Sequence, residues 1–144
     1  MLESATKRVA AALLALRLGV FIVMLMWTLD KLLNVQHAAG VFNNFYGIGG
    51  IGAAVMRALG FAELVLILAF VVGYKKRFTY GAILVLHTIS TLSSYRQYLD
   101  PFTNLLFFAA WPMLAACVAL YILRDLDTIG TIEKPRAAAG ATMT

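Results

Sequence analysis

Residues 9–29 read VAAALLALRLGVFIVMLMWTL, with Arg17 the one charge in twenty-one positions. At about 1.5 Å of rise per helical residue the run is roughly 30 Å long, which matches the hydrocarbon thickness of a bilayer. Lys7 and Arg8 precede it, and Asp30 and Lys31 follow it. The run is longer than the apolar segment of a cleaved signal peptide, about 7–15 residues, so it reads as a retained membrane helix. Three more apolar runs follow, and the four helices are placed at about 9–30, 51–73, 78–97 and 102–123. Long continuous runs exclude the ten-residue alternation of a membrane barrel. The expected fold is all-α: an integral membrane four-helix bundle forming a single domain over residues 1–132. The Ala-, Gly- and Thr-rich segment 133–144, with Pro135, is expected to be a disordered tail.

Composition supports this. Of 144 residues, 62% are hydrophobic and 13% charged, against roughly half and a quarter in a soluble domain. A small water-soluble domain has too much surface to hide that apolar fraction. The net charge is +5, but the basic residues stand at the ends of apolar runs, so they report orientation and not nucleic-acid binding. Lys7, Arg8, Lys75, Lys76, Arg77, Arg124, Lys134 and Arg136 share one side if four helices cross. The positive-inside rule then places both termini in the cytoplasm (N-in/C-in) of an inner-membrane protein. Trp27 and Trp111 fall toward the other face as interfacial anchors.

The single cysteine, Cys117, excludes an internal disulfide or a CxxC pair. No His, Cys or carboxylate grouping has metal-ligand spacing, and no metal is expected. His37 and His87 lie at different depths, which argues against bis-histidine haem. The GxGxxG pattern at 47–52 follows no strand and opens a membrane helix, so it reads as a close-packing device and not as a nucleotide loop.

Ionisable groups at membrane depth are functional candidates by default. Counted from Arg8, Lys75 and Arg77, the residues Arg17, Glu63 and His87 all fall roughly 14–18 Å from the basic side. The expectation is therefore a mid-membrane Arg-Glu-His cluster, with Arg17 paired to Glu63 and His87 free to exchange a proton. Arg17, Met24 and Lys31 form one stripe on the first helix. Gly49, Ala53, Met56, Gly60 and Glu63 form a small-residue stripe on the second. On the third, His87, Ser90, Thr91 and Ser94 share a face. Asp30, Arg57, Arg96 and Asp100 are secondary candidates at the outer rim, with Lys31 among them. The connection from Asn34 to Gly50 is expected to hold one short amphipathic helix. Asp100-Pro101 is expected to cap the fourth helix, and Pro112 to kink it.

These residues resemble a known family. Arg17-Leu18-Gly19-Val20, then Lys31-Leu32 fourteen residues after the arginine, then Gly60-Phe61-Ala62-Glu63-Leu64 and a basic turn are similar to the DoxX family of small four-helix bacterial membrane proteins. The resemblance covers about Leu14 to Leu92, and it departs at Asp30 and in the Asn- and Gly-rich outer loop. It implies a subunit or accessory of a redox or quinone-linked membrane system, with Arg17, Lys31, Gly60 and Glu63 as the matching positions. It further implies a quinone as possible cofactor, and membrane redox proteins or a second copy of the chain (a homo-oligomer) as partners, besides the lipid bilayer. No catalytic residue is assigned, and the chain is not expected to be an enzyme on its own. A proton-coupled transporter using Glu63 and a structural assembly factor are the competing readings.

Overall fold

The computed structural model describes residues 2–133 and is predominantly helical, with no strand among the described residues. Helix α1 spans Leu2–Leu33, α2 Val35–Tyr46, α3 Ala53–Val71, α4 Lys76–Ser93 and α5 Tyr95–Leu99. A 3₁₀ turn at Leu105–Ala109 leads into α6, Ala110–Ile122. Three helical stretches are long and apolar enough to cross a membrane: Glu3–Leu33, Ala53–Val71 and Leu105–Ile122. Helix α4 falls outside this group because hydroxyls and charges interrupt its apolar residues. It buries many of them, including Lys76, Thr79, Tyr80, His87 and Thr91.

α1, α3, α4 and α6 form a ring in which each helix packs on two neighbours, with α1 and α4 on the diagonal. The buried stripe of α1 recurs every three or four residues through Ala10, Leu13, Arg17, Val20 and Met24, as a core-facing helix requires. On α3 the matching stripe is Met56, Gly60, Ile67 and Phe70. Gly60 sets the α1–α3 spacing: a Cβ there would stand 2.8 Å from Leu32 Cδ2 and 3.1 Å from Lys31 Cβ. The two helices thus touch where only a hydrogen fits. Helix α2 is amphipathic, with Val35 and Ala38 buried against Met56, and it lies across the end of the bundle away from Lys76.

Several boundaries differ from the sequence reading. α1 begins near the start of the chain, because its charged first turns continue the helix through an exposed Lys7–Glu3 pair four residues apart. The third helix ends at Ser93, and Ser94 separates it from the short α5. Asp100 is the C-terminal boundary of α5 and does not cap the next helix, which starts four residues after Pro101 as a 3₁₀ turn. Pro112 lies in the first turn of α6, where its missing N–H costs no internal helical bond. It therefore does not kink a helix interior. Glu133, assigned to the tail, is ordered: its N–H bonds the Gly73 carbonyl and its carboxylate accepts from the Lys76 N–H. The rest of that tail, 134–144, lies outside the described residues.

Candidate functional site

Arg17 sits at the end of the bundle where α3 turns into α4. After α6 the chain turns through 123–126 and runs back over this end, and Ile132 N–H bonds the Val72 carbonyl at 2.9 Å. Gly73 has φ of +62°, and a Cβ there would meet Thr131 Cγ2 at 2.5 Å, so glycine is needed for both the turn and the contact. The returning segment carries Asp127 inside. Arg17 Nη1 donates to Asp127 Oδ2 at 3.1 Å and to Tyr80 Oη at 3.2 Å, and the Tyr80 hydroxyl donates to the same carboxylate at 2.7 Å. Arg17 Nη2 donates to the Ile129 carbonyl, and Lys76 Nζ to the Asp127 carbonyl at 3.0 Å. Arg17 and Asp127 are 1% and 0% exposed, and the pairing keeps two buried charges tolerable. Arg17 Nε and Asp127 Oδ1 are left without a protein partner.

The expected Arg17–Glu63 pair does not form. Thr28, eleven residues beyond Arg17, is the α1 residue that meets Glu63, with Thr28 Oγ1 3.0 Å from Oε1. Eleven residues amount to about 16 Å along the helix, and an α1 side chain leans toward the N-terminus, away from Glu63. Glu63 instead pairs with Lys31 at 2.9 Å, both about one-seventh exposed. The single-level Arg-Glu-His cluster therefore separates into two sites.

The second site is a cavity of about 800 Å³ in the α2 half of the bundle. Met24 and Trp27 of α1, Phe42 and Phe45 of α2, and Met113 of α6 line its apolar walls. Glu63, Lys31, Asp30, His87, Ser90, Ser93 and Ser94 supply its polar groups. Phe45 stacks on Phe107 at 5.9 Å between centroids, tying α2 to the 3₁₀ turn over the cavity. Leu16, Val23 and Trp27 of α1 and Leu86 and Ile89 of α4 line the space and are also exposed on the outside of the bundle. The cavity therefore opens sideways between helices.

His87 is 8% exposed and its Nε2 lies 3.0 Å from the Ala110 carbonyl. At the rim, His37 Nδ1 meets Asp30 Oδ2 at 2.8 Å, which pins α2 to the end of α1. The remaining rim candidates do not reach the cavity. Arg57 is exposed, Arg96 Nε donates to the Tyr95 hydroxyl beside it, and exposed Asp100 offers its backbone carbonyl to Asn104. Thus Glu63, Lys31, His87 and Asp30 converge, while Arg17, Arg57, Arg96 and Asp100 stand apart. Sequence reasoning missed Asp127 and His37. Asp127 follows Arg124 and Asp125 and looks like a solvated helix end. Spacing did not reveal His37: it stands seven residues after Asp30, but on α2, beyond the break at Asn34.

Comparison with protein-family models, with curated proteins and with solved structures finds no match to this chain.

Proposed function

We propose that the chain is a DoxX-like inner-membrane protein of four spans, with α4 as the fourth and both termini cytoplasmic. In this reading its cavity holds a lipophilic, polar-headed ligand of the quinone class, and it serves a membrane redox system as a subunit or accessory. The carrying observation is the sideways-opening cavity, whose apolar and aromatic walls surround a few convergent polar groups. Its size falls within the range of about 300–1,000 Å³ typical of small-molecule sites. The polar set fits a quinone-class headgroup: Lys31 Nζ and the Ser90 hydroxyl can donate to ring oxygens, the His87 ring can accept from a headgroup hydroxyl, and Phe42 and Phe45 offer faces to an aromatic ring. A quinone, when bound, supplies two-electron redox chemistry, while this chain's residues bind and orient it. Glu63 is held by both Lys31 and Thr28, which favours this role over proton-coupled transport, where the carboxylate must change partners.

The test uses Trp27, which lines the cavity, and Trp111, which does not. With Trp111→Phe, a decyl-benzoquinone analogue should quench the remaining fluorescence saturably. With Trp27→Phe it should not. A folded Trp111→Phe protein with no saturable response overturns the ligand assignment. Topology is tested by compartment-specific reporters: fusion after Asn44 should report the periplasm and fusion after Lys76 the cytoplasm.

A further inference from the structure

Resting on the ligand assignment above, we infer that the cavity selects a ligand that donates hydrogen bonds, and so takes the hydroquinone in preference to the quinone. The reason is the direction in which its polar groups face. Ser93 Oγ donates back to the Ser90 carbonyl at 2.8 Å, and Ser94 Oγ to the same carbonyl at 3.3 Å. With their hydrogens committed to their own helix, both oxygens present lone pairs. A carbonyl can only accept, so the contact with Ala110 fixes the hydrogen of His87 on Nε2. In the uncharged ring Nδ1 is then an acceptor, and no described residue bonds it. Glu63 and Asp30 are acceptors as carboxylates, each retaining lone pairs beyond its contacts with Lys31, Thr28 and His37.

The donors are fewer. Lys31 Nζ already serves Glu63 and the Trp27 carbonyl at 3.2 Å, which leaves one N–H, and Ser90, Tyr46 and Trp27 contribute two hydroxyls and an indole N–H. A quinone brings two carbonyl oxygens, which cannot bond acceptors and would leave His87 Nδ1 and the serine oxygens unmet. A hydroquinone brings two O–H groups that satisfy them. Leaving a buried polar atom without a partner is the costly side of this choice.

The experiment compares three probes on the Trp111→Phe protein under anaerobic conditions: decyl-benzohydroquinone, decyl-benzoquinone, and the dimethyl ether of the hydroquinone. The ether keeps the reduced ring and removes both donors. The hydroquinone should bind on the order of tenfold more tightly than the other two, and His87→Phe should reduce that preference. Equal affinity for all three overturns the donor inference and leaves the ligand assignment standing. Binding by none of them, in folded protein, overturns the assignment itself. Because the ether comparison needs no altered histidine, the result stands even if His87→Phe fails to fold.

Discussion

Helix α1 carries two cations on one stripe, fourteen residues apart, and each meets an acid in a different setting. Arg17 is enclosed by Tyr80, Asp127 and the Ile129 carbonyl, with nothing open beside it. Lys31 meets Glu63 on the wall of a large cavity, with one face of the pair uncovered. The chemistry of the pairs is alike, and the surroundings separate their roles. Where the remaining lone pairs and hydrogens face protein, the pair fixes packing; where they face space, it can recognise a ligand. Burial of a charge in a membrane helix therefore does not by itself mark the working site.

The contrast breaks most visibly at the enclosed end. Arg17→Met or Asp127→Leu alone should cost about 3–5 kcal/mol, since each strands the opposite charge, and the double substitution should regain most of that. Unfolding in detergent measures both; losses that simply add would show that the pair is not formed. Combining Arg17→Met with Glu63→Gln should instead be additive within about 0.5 kcal/mol, because the two residues share no partner. Next in size, Gly60→Val forces a side chain into Leu32 and Lys31, and should lower stability by about 1–3 kcal/mol. An unchanged melting point would mean that α1 and α3 do not approach there. Glu63→Gln should cost about 1–2 kcal/mol, between the limits for exposed and buried pairs, and should change ligand affinity, which Arg17→Met, Asp127→Leu should leave alone if that double variant folds. The smallest effect belongs to His37→Gln at the rim, below about 1 kcal/mol, read as faster proteolysis within α2 with the global transition unmoved.

The helical character was readable from the sequence, as were Arg17 and Met24 on one face of α1 and Met56 and Gly60 on one face of α3, because three-and-four spacing reports which face is covered. Gly49 falls before α3 and Ala53 is exposed, so the covered stripe starts later than expected. The amphipathic α2 was readable from the aromatic residues set among asparagines in the connection from Asn34 to Gly50. Depth was not. Measuring Arg17 from Arg8 took that basic pair as the membrane boundary, whereas α1 continues through it, and the bundle's end is set by the turn at Gly73 and the chain returning over it. The partner of Arg17 was hidden because Asp127 reaches it by a tertiary return of the chain, which has no periodicity to detect. His87, by contrast, was placed near Glu63 by helix counting alone, and both do line one cavity, since α3 and α4 run from a common turn and their residues can be measured from the same origin.

The arginine in α1 and its aspartate are separated by 110 positions in the chain. At about 5–20 residues per second of synthesis, Arg17 is made several seconds to some twenty seconds before its counter-ion exists. Throughout that interval the first helix carries an unneutralised guanidinium, and only arrival of the segment that carries Asp127 removes it. A chain that stops before Asp127 therefore keeps Arg17 without its counter-ion. The ion pair therefore closes the bundle late in synthesis, when the chain returns over the turn at Gly73.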